Sequence, residues 1–162
     1  MTNTKKIKVL LVEDDAAWTD YFKETVLVGV ADTFDFCYAT DLKSAQETLQ
    51  ADPGIQLILL DLLLPDSDAY NTISVMASSV KYKPIVVLST LADEKIIQLA
   101  MQSGMQDYLV KDEYDDKLFV HVVKQAIRRE LHKASQVALR DLDEVRQSLQ
   151  RVFDTLTTLD PS

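Results

Sequence analysis

The segment "IQLILLDLLLPDSDAY" spans residues 55–70, and one carboxylate, Asp61, stands inside it with an apolar run on either side. An ionised carboxylate is costly to take out of water unless a cation or hydrogen-bond donors receive it. Two long apolar runs argue for burial, so Asp61 needs compensation from elsewhere in the chain.

Three further short runs rich in Val, Ile and Leu flank this one: "IKVLLV" (7–12), "PIVVL" (84–88) and "DYLVK" (107–111), beside "QLILL" (56–60) itself. Continuous apolar runs fit strands covered on both faces. A fifth, "TFDFCYA" (33–39), alternates Phe34, Phe36 and Tyr38 with Asp35, Cys37 and Ala39, the pattern of a more exposed strand. Between the runs lie helical spacings: Leu42, Ala45 and Leu49, then Ile96, Ile97, Ala100 and Met101. "DPG" (52–54) ends the first, and Gly104 suits the residue just past the end of the second. Strand and helix alternate five times, and right-handed crossovers turn that order into a parallel sheet covered on both sides. The expected fold is a doubly wound, five-stranded, flavodoxin-like α/β domain with a long C-terminal helix.

Composition narrows the function classes. The 162 residues are 47% hydrophobic and 27% charged, as in an ordinary globular chain. A formal charge of −9 argues against direct nucleic-acid binding, which needs clustered Lys and Arg. A single cysteine, Cys37, makes no internal disulfide, which predicts a reducing cytoplasmic setting. The apolar run near the N-terminus is too short for a signal segment, and no run has the length of a membrane span.

In open α/β sheets, ligands bind beyond the carboxyl ends of the strands. Glu13, Asp14 and Asp15 follow the first expected strand and Asp61 closes the third; Ser89 and Thr90 follow the fourth, and Lys111 closes the fifth. All therefore gather at one edge. Converging carboxylates repel one another unless a cation sits among them. An all-oxygen set without His or Cys suits a hard ion such as Mg2+. Cation, hydroxyl and a mobile ammonium around one carboxylate make a cradle for a phosphoryl group. Taken singly, Ser89, Lys111 and a half-buried Tyr108 are ordinary structural residues; only the set points to chemistry. His121 and His132 have no companions at ligand spacing and read as solvated or satisfied histidines rather than metal ligands.

Over residues 5–131 the chain resembles the receiver domain of two-component response regulators. The matching stretches are "VLLVEDD" with Glu13 and Asp14, "LILLDLLLPDSD" with Asp61, "IVVLST" with Ser89, and "DYLVK" with Tyr108 and Lys111. The resemblance implies that Asp61 accepts phosphate from a histidine kinase or histidine phosphotransfer protein. It implies Mg2+ held by Asp14, Asp61 and the backbone carbonyl of Leu63, with Glu13 holding the metal's waters. It implies Ser89 and Tyr108 as switch residues, and a phosphoacceptor protein with at most self-catalysed phosphotransfer and autodephosphorylation rather than an enzyme. Two positions depart from the family: Asp112 replaces the usual proline after the lysine, and Ala69 replaces the usual glycine after "P-x-x-D".

Beyond Asp115 no Gly or Pro occurs before Pro161, which predicts a helix of roughly 65 Å from Asp115 to Leu159. Val120, Val123, Ile127 and Leu131 are expected to cover the sheet. Then Ala138, Leu142, Val145, Leu149, Val152, Leu156 and Leu159 follow a heptad seam, widened by Leu139 and Phe153. Residues 132–162 thus read as a coiled-coil extension for a homo-oligomer, or for a partner helix along 132–159. Two other readings are a pseudo-receiver adaptor that oligomerises without phosphate and a flavodoxin-like electron carrier. The acidic "EDDAAW" after the first strand argues against the carrier, because it would repel a phosphate.

Overall fold

The computed structural model describes residues 5–80 and 83–158, and the chain divides after Arg128 into two compact units. In the first, strands and helices alternate: β1 (Ile7–Val12), α1 (Ala16–Thr25), β2 (Phe34–Ala39), α2 (Leu42–Ala51), β3 (Leu57–Leu60) and α3 (Ala69–Ser79). Then come β4 (Ile85–Ser89), α4 (Glu94–Gln102), β5 (Asp107–Val110) and the start of α5 (Asp116–Thr158). The strands form one parallel sheet in the order β2-β1-β3-β4-β5. The alternating segment is β2, at the sheet edge, as its pattern predicts.

Period-two alternation divides the strands between two cores. Leu10, Val12, Ile58, Leu60 and Val87 pack with Leu42, Ala45, Ile73, Met76, Ile96 and Ala100 of α2, α3 and α4. Val9, Leu11, Leu57, Leu59, Val86 and Leu88 face the other side, where α1 and α5 supply Phe22, Phe119, Val122, Val123 and Ala126. Phe22 lies at the centre of an aromatic group there: Trp18 stacks on it at 5.1 Å and Phe119 meets it edge-on at 5.4 Å between centroids. The covering face of α5 differs in part from the expected one. Val123 is buried, and Val120 and Ile127 pack partly against the core. Leu131 is 64% exposed rather than buried. Phe119, Val122 and Ala126 take more of the burial, since a helix of 3.6 residues per turn carries a stripe defined at Val123 off the sheet within two turns.

Each helix begins on an aspartate. Asp15, Asp41, Asp68 and Asp93 accept backbone N–H bonds at the starts of α1 to α4, and Asp115 accepts from Leu118 N–H at 2.7 Å. A carboxylate at that place satisfies amides that the helix cannot and favours the positive helix end. Gly104 ends α4 at φ 95°, the left-handed conformation expected past a helix end.

Phe119→Ala should destabilise the protein by about 3–5 kcal/mol, because the emptied volume is enclosed by Phe22 and sheet residues. Urea unfolding followed by circular dichroism reads this directly.

Candidate functional site

The sheet order reverses direction between β1 and β3, and open α/β sheets bind ligands at such a point. Val12 pairs with Leu60 across those strands, so Glu13 and Asp61, each one residue further on, leave the sheet side by side. Asp61 itself lies just past β3 rather than within it. On the far side Ser89 pairs with Val110, which brings Lys111 to the same edge.

Every oxygen of the two buried acids is engaged. Asp61 is 4% exposed; its Oδ1 accepts from Leu63 N–H at 3.0 Å and from the Ser89 hydroxyl at 3.1 Å. Its Oδ2 accepts from Lys111 Nζ at 2.9 Å. Glu13 is equally buried; its Oε1 accepts from Asp15 N–H at 3.0 Å and its Oε2 forms an ion pair with Lys111. Asp14 is exposed, and one carboxylate oxygen from each of Glu13, Asp14 and Asp61 falls within 4.8 Å of the others.

Lys111 is therefore not the mobile charge its sequence position suggests. It is buried at 7% exposure, shared between two carboxylates, and its Nζ stands 4.2 Å from the Trp18 ring centroid. The contact with Trp18 was not legible as chemistry, although an aromatic one helical turn beyond Asp14 was a usable signal.

Burial pushes the Glu13 carboxyl up to about 7, with Asp61 adding to the rise and Lys111 opposing it. Burial pulls the Lys111 ammonium down, but its bonds to Glu13 and Asp61 outweigh that and leave it above its ordinary value. When all three acids are ionised, one ammonium faces three carboxylates. That residual charge and an all-oxygen donor set suit a hard cation.

Tyr108 is half-buried, and its hydroxyl donates to the Leu91 carbonyl at 2.7 Å. Burial raises its phenol above the usual range. Leu91 N–H in turn reaches Ser89 Oγ at 3.4 Å, so one short loop connects Tyr108 with the hydroxyl on Asp61. The departures from the family pattern have local accommodations. Asp112 adopts φ 67°, which aspartate tolerates and a proline ring locked near −65° could not. Ala69 is the first residue of α3, after the Asp68 cap, where alanine is a good helix former. Cys37 contacts the Val9 carbonyl at 3.5 Å, and burial raises its thiol, so it packs rather than reacts. His132 lies on the exposed helix with Gln136 3.0 Å away.

The family model for the response regulator receiver domain matches residues 9–124. The chain belongs to that family. Among curated relatives, the cell cycle response regulator CtrA of Brucella abortus is 30% identical over 138 residues, covering 84% of this chain and 57% of CtrA. The transcriptional regulatory protein CpxR of Escherichia coli is 30% identical over 129 residues, covering 80% of this chain and 52% of CpxR. The receiver chain thus spans about half the length of these relatives. A solved structure of the Mn2+-bound form of response regulator Rcp1 matches with a TM-score of 0.60 and 28% identity, over 73% of this chain and 90% of that one. Among the described residues, no helix is long and apolar enough to cross a membrane.

Removing the receiver's buried cation should expose the repulsion it masks. Lys111→Met should lower stability by about 3 kcal/mol at pH 8 in the absence of divalent ions, because two buried carboxylates lose their partner. The penalty should shrink toward pH 5. A carboxyl raised from 4.5 to about 7 binds its proton more tightly in the folded state, so its contribution is favourable at low pH and is lost as pH rises toward 7. Urea unfolding in chelator at the two pH values checks both the size and the direction.

Proposed function

We propose that this receiver takes a phosphoryl group on Asp61 from the phosphohistidine of a histidine kinase or histidine phosphotransfer protein, in the cytoplasm. The observation that carries the reading is the Asp61 carboxylate bonded at once to Ser89 and Lys111, with Glu13 and Asp14 at its side. An Asp61 oxygen attacks phosphorus as the phosphorus–nitrogen bond breaks, and the imidazole leaves with the electron pair and takes up a proton. Lys111 and the Ser89 hydroxyl then hold phosphoryl oxygens, so charge is met where it develops.

The donor chemistry of the acid cluster fits Mg2+, and Rcp1 in its Mn2+-bound form offers a hard ion in a relative. Asp14, Asp61 and the Leu63 carbonyl would hold Mg2+, with Glu13 holding its waters. When bound, it would supply positive charge to offset the acids and the transferring group. Ser89 leaving Asp61 for a phosphoryl oxygen would disturb the loop that anchors the Tyr108 hydroxyl, which makes this pair the switch. The output we assign is a protein contact through the C-terminal helix from residue 132 onward, not contact with DNA. Acidic residues outnumber basic ones ten to eight after Lys111. Neither the pseudo-receiver nor the electron-carrier reading is favoured: Ser89 and Lys111 both bond Asp61, which supports a phosphoryl site, and the loop after β1 is acidic.

Incubation with acetyl phosphate and Mg2+ should add one phosphoryl group by intact mass, and Asp61→Asn should abolish the gain. Millimolar Mg2+ alone should raise the melting temperature, and an unchanged value would count against the metal site.

The phosphoprotein should be long-lived. Leu63, 45% exposed, and Leu91 stand two residues past Asp61 and Ser89, and their backbone N–H groups reach the Asp61 carboxylate and the Ser89 hydroxyl. Neither side chain can orient an attacking water. Leu63→Asn with Leu91→Glu should speed loss of phosphate about tenfold, or roughly 1.4 kcal/mol of barrier. Decay followed by mass after removal of the donor measures it.

A further inference from the structure

We propose that residues 131–156 of α5 bind other copies of this chain as a parallel, in-register bundle of more than two helices. This deepens, and rests on, the reading that the C-terminal helix is the contact surface. Leu142, Val145, Leu149, Val152 and Leu156 recur at alternating spacings of three and four, and each is more than half exposed. They occupy the a and d positions of a heptad, with Leu at a and Val at d; Ala138 and Leu131 carry the same register backward. Leu159 would continue it but lies outside the described residues.

The flanking positions identify the occupant. In a parallel, in-register coiled coil, each g residue meets the next e residue of a neighbouring helix. Here those meetings are Ala134 with Leu139, Asp141 with Arg146, and Ser148 with Phe153. Each is complementary, a small side chain beside a large one or an acid beside a base. The antiparallel arrangement that layers Leu142 on Val152 brings e against e instead. It would set Arg146 against Arg146 and crowd Leu139 against Phe153. One sequence thus satisfies all three flanking pairs only against itself, in the same direction and register. Within one chain Arg146 pairs with Asp143 at 2.9 Å, but both side chains are exposed, and such a pair offers little resistance to exchange.

The number of copies follows from the same residues. Leu at a with a β-branched residue at d shifts preference beyond two strands. Leu139 and Phe153 at e, 67% and 62% exposed, make the apolar face wider than a two-stranded seam covers.

Light scattering of the full chain at tens of micromolar should show an assembly larger than a dimer. Asp141→Arg should weaken association tenfold or more, and Asp141→Arg with Arg146→Asp should restore it. In a Cys37→Ala background, Val145→Cys chains should cross-link to one another under mild oxidation. A monomer or a dimer in the natural chain would overturn the proposal. So would association unmoved by the single charge reversal, or cross-links that form only between Val145→Cys and Leu149→Cys chains. Circular dichroism confirms that each variant keeps its helix. Phosphorylation of Asp61 is measured on the same samples: its loss with assembly intact counts against the proposed function and leaves this inference standing.

Discussion

Lys111 is shared between Glu13 and Asp61, and the three residues come from the ends of β1, β3 and β5. This charge cluster closes only when those strands have paired in the right order with β4 between them. Buried ion pairs give weak net stability, because desolvation consumes much of the attraction. Their consequence is conditional: with the lysine in place the edge tolerates buried acids, and without it the acids repel. The cluster is also incomplete as a neutral object, since Asp14 adds a further carboxylate within 4.8 Å. The site is therefore folded with an excess of negative charge, the condition in which a hard cation gains most from binding.

The rest of the architecture brings these groups together and supports them. Two apolar layers bury β1, β3 and β4 on both faces, so their ends are held firmly where the polar residues emerge. The five aspartates that cap helix starts all follow the carboxyl ends of strands, at the same edge of the sheet as the site. Each is occupied with backbone amides, which separates them from the acids of the cluster. Asp66 performs a related task, accepting Leu42 and Lys43 N–H at 2.9 and 3.0 Å. It fastens the loop after Asp61 to the start of α2. Ser89, Leu91 and Tyr108 form a second connection, leading from the Asp61 carboxylate toward β5.

The second unit follows different physics. In the first, apolar residues disappear into cores; after Arg128, they remain on the surface of a single helix. A stripe of that kind contributes nothing to stability until another surface covers it. Its heptad spacing and complementary flanks suit association better than folding.

Much of this was readable from the chain alone, because hydrophobic period and strand order are local properties. Continuous apolar runs, the alternating edge segment and Gly104 specified the elements, and the rule that ligands sit beyond strand ends placed Glu13, Asp14, Asp61, Ser89 and Lys111 together. Two helices, α1 and α3, were implied only by alternation, since their apolar spacing is weak. The aspartate caps carry a local signal as well, an acid just before each helix. Only tertiary structure showed that Lys111 is buried between two acids and against Trp18, or that Tyr108 bonds to the Leu91 carbonyl. It also showed that Leu131 is exposed. Those facts depend on distances between residues up to 98 positions apart in the chain, and on the accumulated rotation of a helix. Residue type and spacing set which groups can meet; packing decides how deeply they are buried and therefore how strongly their charges act.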